Sequence, residues 1–123
     1  MSPISGSISI ENFWNEDLRK VEIHYHRGST TIDTVFILYN VADKKTIKDA
    51  HSFTFNSTDK SDWKAKITTK QGQTWSSGEF FPCQLTDNDN DNGKVTIRFN
   101  GDARTMHVIY PTSLSCTKKM VLI

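Results

Sequence analysis

Apolar and polar residues alternate along several segments of this chain, and that period of two is the feature that most constrains its fold. Successive side chains of a β-strand point to opposite faces, so each segment has one face for a core and one for water. The apolar members of the clearest runs are Ile8 and Ile10; Val21, Ile23 and Tyr25; Phe53 and Phe55; Trp63, Ala65 and Ile67; and Val95, Ile97 and Phe99. The pattern predicts an all-β domain, an antiparallel β-sandwich of roughly eight to ten strands with little helix.

The length and charge of the chain narrow the class of protein further. Its 123 residues suit one domain, residues 1–123, and a chain of this size needs no metal or disulfide merely to fold. The net charge is +1, with 15 basic and 14 acidic residues, and the densest basic spots are Lys44–Lys45 and Lys118–Lys119. A nucleic-acid-binding protein usually carries a basic patch or stripe, so we expect no nucleic-acid partner.

The sequence also indicates where the protein resides. Residues 1–7 contain no basic residue and lead into no apolar stretch, so they do not resemble a signal peptide. The longest apolar cluster, residues 35–39, is far too short to cross a bilayer as a helix. We expect a cytoplasmic protein, or one secreted by an unconventional route.

Three segments carry more specific structural predictions. Residues 34–41 are apolar on both faces, which predicts a central strand covered on both sides, or a strand with an extra contact. Residues 120–123 form an apolar tail that predicts a closing strand. Helix is scarce, and the sequence offers only two short candidate turns, within residues 14–19 and 41–50.

The dipeptide Asn100-Gly101 lies between two strand patterns and predicts a hairpin. Asn-Gly tolerates the positive φ angles of a type I′ turn, and a two-residue loop there pairs Ile97 with Arg104. That register keeps the larger residues of the second strand on the inner face, namely Met106, Val108 and Tyr110.

Two groups of residues are candidates for metal binding. Asp87, Asp89 and Asp91 alternate on a short polar stretch, as calcium ligands do, but the spacing departs from the EF-hand pattern at two positions. His24 and His26 share one face of a strand, where they resemble part of a zinc site that lacks an identifiable third ligand. We therefore expect a solvated loop, ordinary histidines and no cofactor.

The sequence gives little support for catalysis. It contains no nucleophile elbow, phosphate-binding loop or dinucleotide fingerprint, so we expect no enzymatic activity. Cys83 and Cys116 lie on strand-patterned segments, and we expect them to be buried or bonded to each other, with Cys83 facing inward.

The tryptophans indicate a binding site. Trp63 follows an inward alternation and is predicted to lie in the core, whereas Trp75 is surrounded by small polar residues after a turn. Trp14 is followed closely by Asn15 and Asp17. An aromatic face beside amides and carboxylates suits a sugar ring, so these four residues are predicted to contact a ligand.

The chain resembles the small β-sandwich proteins without signal peptides that mushroom fruiting bodies make, which include lectins and aegerolysins. The early strand Ile8-Ser9-Ile10-Glu11-Asn12, the short strands and the turn-placed tryptophans carry this likeness. The acidic charge and the Trp-rich membrane face of aegerolysins are missing. The resemblance implies a role in defence through binding to glycans or membrane lipids.

Together these features predict a non-enzymatic, lectin-like module that binds a glycan or glycoconjugate and can form a homodimer. Two alternatives stay open at this point. One is a protein that binds membrane lipid or forms pores, and the other is a calcium-dependent adhesive module.

Overall fold

The computed structural model describes residues 4–27, 33–55, 61–83, 94–110 and 115–123. These residues form eleven strands and contain no helix, and two of the strands are only two residues long. The strands are β1 (Ile4–Phe13), β2 (Leu18–Arg27), β3 (Asp33–Val41), β4 (Thr46–Phe55), β5 (Ser61–Thr69), β6 (Thr74–Ser76), β7 (Phe81–Pro82), β8 (Lys94–Asn100), β9 (Thr105–Ile109), β10 (Cys116–Lys119) and β11 (Val121–Leu122).

The strands form two sheets that pack face to face, as the alternation predicted. The first sheet has the order β10-β9-β8-β1-β4, and the second has the order β11-β6-β5-β2-β3 with β7 also paired to β5. All described pairs are antiparallel except β1 with β8, which run parallel. The predicted antiparallel β-sandwich is confirmed, with one parallel pair inside it.

The core lies between the two sheets and takes the residues that the alternation assigned to it, wherever the structure describes their side chains; that of Phe55 lies outside the description. Trp63 is fully buried, and its indole N–H lies 3.0 Å from the Tyr110 hydroxyl and 3.3 Å from the Cys83 carbonyl oxygen. The Tyr25 ring packs against Trp63 with centroids 4.6 Å apart. The prediction that Trp63 is a core residue is therefore confirmed, and its polar edge is satisfied inside the core.

The buried side chain of Asn12 stabilises one end of the sandwich through hydrogen bonds. Asn12 is fully buried, and its side-chain amide donates to the carbonyls of Val41 at 3.0 Å, and of Ala42 and Glu16 at 3.1 Å. Its side-chain oxygen accepts from the Trp14 N–H at 2.9 Å. These bonds tie the end of β1 to the connection between β3 and β4 and satisfy a polar group that would be costly to bury alone.

A disulfide joins the two sheets. Cys83 follows β7 of the second sheet, Cys116 begins β10 of the first, and their sulfurs are bonded. Cys83 is buried, as its inward alternation predicted, and its backbone N–H donates to the Ser61 carbonyl at 2.9 Å. The expectation that the two cysteines are buried or bonded is confirmed.

The hairpin between β8 and β9 differs from the prediction. Ile97 pairs with Val108 and not with Arg104, because a four-residue loop, residues 101–104, replaces the two-residue loop. The side-chain oxygen of Asn100 accepts hydrogen bonds from the N–H groups of Asp102 and Ala103, which stabilise the longer turn. The register moves by an even number of residues, so the predicted inner face is retained: Met106, Val108 and Tyr110 are buried.

The strand with two apolar faces lies at an edge of the second sheet and not in its centre. β3 pairs only with β2 among the described strands, so the prediction of a central strand is wrong. Its inner face contributes Phe36 to the core, while its outer face leaves Val35, Ile37 and Tyr39 exposed at 45%, 39% and 64%. The alternative, an extra contact on that face, is still open.

The remaining predictions concern short segments. The apolar tail forms β11, which closes the second sheet by pairing with β6, while its residues 121–123 are exposed. The two candidate helical turns are absent from these described segments: residues 14–17 make a bend, and residues 42–45 turn into β4. None of the described residues forms a helix that is long and apolar enough to cross a membrane.

Candidate functional site

The two tryptophans predicted to contact a ligand contact each other. Their rings meet edge to face with centroids 5.4 Å apart. Trp14 is only 2% exposed, and Trp75 is half-buried and packed against the core. The absence of an apolar alternation around Trp75 predicted an exposed ring, whereas the ring is half-buried against Trp14 and the core. Trp14 presents no ring face to solvent.

The side chain of Arg104 covers the part of the Trp75 ring that does not pack against the core. The guanidinium of Arg104 lies 4.7 Å from the centre of the Trp75 ring and 5.5 Å from that of Trp14. Arg104 has a φ of 56°, and its carbonyl accepts a hydrogen bond from the Met120 N–H, which fixes the loop that carries it. The pair and its arginine form a packed corner held partly by cation–π attraction.

The two polar residues of the predicted site are exposed but engaged with other polar groups. Asn15, at a φ of 75°, donates to Asp102 and accepts from Lys44, both at 2.7 Å. Asp17 accepts from the backbone N–H of Asp43 at 2.9 Å. The chain thus brings Trp14 and Trp75 together and ties Asn15 and Asp17 to separate neighbours.

Asp17 borders a hollow at this end of the sandwich. The hollow has a volume of about 200 Å³ and is lined by Asp17, Arg19, Asn40, Ala42 and Lys70. The Arg19 guanidinium already donates to the Lys70 carbonyl at 2.8 Å. The hollow has no aromatic lining among these residues, so it lacks the flat apolar surface that a sugar ring prefers.

The solvent side of the second sheet combines polar and aromatic side chains, as a sugar ring requires, which the hollow beside Asp17 does not. Glu22 is paired with Ile37 on one side and Lys66 on the other, and His24 is paired in the same way with Val35 and Lys64. Because cross-strand partners share a face, these side chains form one continuous surface, here called the outer face. It comprises Lys20, Glu22 and His24 of β2, Val35, Ile37 and Tyr39 of β3, and Lys64 and Lys66 of β5.

The outer face contains a polar hollow. Its volume is about 260 Å³, and its lining includes the four charged or titratable residues Glu22, His24, Lys64 and Lys66. Glu79 extends the lining from the loop after β6. The hollow therefore offers hydrogen-bond acceptors and donors within a small area.

The carboxylate in this hollow is held in its ionised form. The hydrogen bond from His24, at 2.9 Å, lowers the pKa of Glu22, and Lys20 at 3.6 Å and Lys66 contribute to the same shift against the opposing effect of burial. Glu22 thus stays an acceptor down to acid pH, and it also orients the His24 ring.

Two aromatic residues lie near the charged groups of the outer face. Phe80 packs against lining residues of the hollow, with the Lys64 ammonium 4.6 Å from its centroid, and the His26 ring lies 5.6 Å away. Tyr39 lies on β3, outside the lining of the hollow, where it is paired with Lys20 and is 64% exposed. The Phe80 ring therefore already contacts an ammonium group and an imidazole, whereas the Tyr39 side chain is largely exposed to solvent.

The candidate metal ligands are placed as follows. Asp87, Asp89 and Asp91 lie outside the described residues. His24 bonds to Glu22, and His26 lies 2.5 Å from Asp33, so each imidazole has a carboxylate partner. Within the described parts of the chain, no three histidine, cysteine, aspartate or glutamate residues are grouped closely enough to hold a metal ion.

Tyr39 is not among the binding residues that the sequence predicts. The signal for it is the strand with apolar residues on both faces, which also fits an apolar strip on the outside of a sheet edge. Tyr39 is the most exposed member of that strip.

Comparison with known proteins adds no family assignment. No protein-family model matches the chain, and no curated protein matches its sequence.

Proposed function

We propose that this protein is a non-enzymatic carbohydrate-binding module and that the glycan lies on the outer face of the second sheet. The single observation that carries the proposal is the exposed Tyr39 side chain on the same face of the sheet as Glu22 and His24, which line the polar hollow. A sugar presents C–H groups that stack on an aromatic ring and hydroxyls that bond to charged or polar side chains.

The spacing of these groups suits a sugar ring. Tyr39 is the strand partner of Lys20 and the diagonal neighbour of Glu22. Diagonal neighbours across two strands lie about 7–8 Å apart, so one ring that stacks on Tyr39 reaches the Glu22 carboxylate directly. A second sugar unit then extends over the hollow toward Lys66 and His24.

The corner with Trp75, Trp14, Asn15 and Asp17 is the alternative location for the ligand. Asn15 and Asp17 are exposed there, but Trp14 is buried and Arg104 covers Trp75. Ligand stacking on Trp75 requires displacement of the arginine, whereas stacking on Tyr39 requires no rearrangement. The outer face is therefore the favoured site.

One observation favours a second function, binding to membrane lipid. Val121, Leu122 and Ile123 are exposed at 54%, 52% and 66%, which is unusual for three consecutive apolar residues. Val121 and Leu122 form β11 and Ile123 follows it, at the opposite edge of the sheet from Tyr39. A substitution on β3 therefore tests glycan binding, and a substitution on β11 tests membrane binding, each without changing the other site.

We also propose that the protein works outside the cytoplasm. The bond between Cys83 and Cys116 supports this location, because disulfides persist mainly in oxidising compartments.

The test of the proposed function is a glycan array probed with the wild-type protein and two variants. Tyr39→Ala removes the open ring, and Leu122→Ala is the matched control at a similarly exposed apolar position. We expect a defined set of glycans to bind the wild type and the control but not Tyr39→Ala. Binding to vesicles of anionic phospholipid that Leu122→Ala abolishes, with an empty array, would establish the membrane alternative instead.

A further inference from the structure

The four edges of the two sheets are not equally protected against pairing with another chain. Strands at an edge expose unpaired backbone groups, and proteins usually block them with charge, irregularity or short length. β4 carries the exposed Lys48 and Asp49, the latter at a φ of 51°, beside a register shift in its pairing with β1. β10 has four residues, two of them lysines, and β11 has only two residues.

Among the described edge strands, β3 is the least protected. It is nine residues long, its pairing with β2 is unbroken from Lys20 to His26, its one charged residue is Asp33 at the start, and its one positive φ, 57° at Asn40, lies near its end. Its solvent side carries Val35, Ile37 and Tyr39. We propose that β3 is a dimer interface, at which it pairs antiparallel with β3 of a second copy of this chain.

The sequence of β3 is compatible with its own antiparallel copy. A two-fold axis through Ile37 sets Ile37 opposite Ile37 and Val35 opposite Tyr39 of the second copy. Apolar and aromatic cross-strand pairs of this kind stabilise antiparallel sheets. The two Asp33 carboxylates fall at opposite ends of the interface, so the pairing brings no like charges together.

The size of the interface agrees with a weak but specific dimer. Phe36 of β3 stacks on His51 of β4 at 4.5 Å, so the two edge strands form one side of the sandwich. That side is about 30 Å long for nine residues and about 20 Å deep for two layers, or about 1,200 Å² over both copies, the lower limit for a stable complex. β4 adds side-chain contact area to this interface and does not pair as a strand. Pairing of nine residues also adds about nine hydrogen bonds, close to the usual number for an interface.

This dimer has a consequence for binding that rests on the proposed function. The axis lies perpendicular to the sheet, so the outer faces of both copies point the same way. Two glycan sites then lie on one continuous surface, which allows a bivalent attachment to a cell or polymer.

The dimer itself is tested without any glycan, by sedimentation velocity from about 1 to 300 µM. We expect the wild-type mass to rise from 14.0 kDa towards twice that value. Ile37→Lys sets two lysines opposite each other on the axis and should weaken dimerisation at least about tenfold. Val121→Lys is the matched control, at an exposed apolar position on β11, and should dimerise as the wild type does.

A second variant and a second measurement distinguish loss of the dimer from misfolding of the Ile37→Lys variant. The double variant Val35→Thr, Ile37→Thr keeps the β-branched shape of both residues and removes apolar surface, and it should also dimerise less. Hydrogen exchange should slow at the β3 amides as concentration rises. A wild type that stays monomeric throughout, a dimer insensitive to Ile37→Lys, or a dimer broken by Val121→Lys would each overturn the proposal, whatever the glycan array shows.

Discussion

The ring of Trp75 meets that of Trp14 edge to face at 5.4 Å, while the Arg104 guanidinium lies 4.7 Å from the Trp75 centroid. Removal of either ring therefore opens a void between the end of the sandwich and the loop of residues 101–104. We therefore expect the pair to contribute chiefly to stability, whereas the polar surroundings of Trp75 in the sequence predicted a ligand contact.

Trp75→Ala should lower the free energy of unfolding by about 2–4 kcal/mol, because a large and mostly covered ring is lost. Urea unfolding measures this loss, and the glycan array measures binding by the same variant at a temperature where it is folded. We expect the stability to fall and the binding to persist. A stable variant that no longer binds would place the ligand at Trp75 after all.

Tyr39→Ala should show the opposite behaviour. Its ring is largely exposed, so we expect the melting temperature to change little. Stacking of a ligand on an aromatic ring contributes about 1–3 kcal/mol, so affinity for an array-identified glycan should fall about fivefold or more in titration calorimetry. Leu122→Ala serves as the control, and equal binding by both variants would exclude Tyr39 as a contact.

Gly101→Ala should be strongly destabilising for a steric reason. A Cβ at residue 101 would lie 2.0 Å from the carbonyl oxygen of Trp14, and the Gly101 N–H already donates to the Phe13 carbonyl at 2.9 Å. We expect a loss of about 3 kcal/mol or more in chemical denaturation. Gly72→Ala is the control: φ is 90° but no atom lies within 4 Å, so its cost is about 1–2 kcal/mol of backbone strain.

Removal of the disulfide by Cys83→Ala with Cys116→Ala should lower stability by about 3–4 kcal/mol. The bond closes a loop with a sequence separation of 33, and the main effect of such a bond is to restrict the unfolded chain. Urea titrations of the double variant and of the wild type give the difference. Coincident unfolding curves would show that the bond does not form in solution.

Stability should decline as the pH falls through the range in which histidines titrate. Burial and the nearby Arg98 lower the pKa of His107 from its ordinary value of 6.5. Because the folded protein holds this proton less well than the unfolded chain, stability is full above about pH 6.5 and is lost below it. Melting temperatures should fall less for His107→Gln than for the wild type between about pH 7 and pH 5, and parallel curves would contradict this.

The inward faces of the strands were predictable because each mistake in such an assignment would bury charge. Val21, Ile23 and Tyr25 alternate with Glu22 and His24. The opposite orientation of β2 would bury Glu22 and His24 in the core, so only one orientation is stable. The same reasoning placed Trp63 and Cys83 correctly.

The positions that sequence reasoning missed depend on contacts between distant segments. Gly101 is required by the close approach of the Trp14 backbone and not by a positive φ, which occurs at Arg104 instead. Nothing in the order Asn100-Gly101 reveals that approach. In the same way, the exposure of Tyr39 follows from the position of β3 in the sheet, which the pattern within the strand does not specify.

The parallel pairing of β1 with β8 sets the order in which the molecule can be completed during synthesis. β1 lies between β4 and β8, and its contact between Glu11 and Arg98 spans 87 residues. The first sheet therefore cannot close until the hairpin of β8 and β9 has left the ribosome. Until then β1 and β4 expose an open edge and an apolar face, and a chain with such distant contacts folds slowly. We therefore expect the apolar face of β1 and β4 to stay exposed in the nascent chain until β8 arrives.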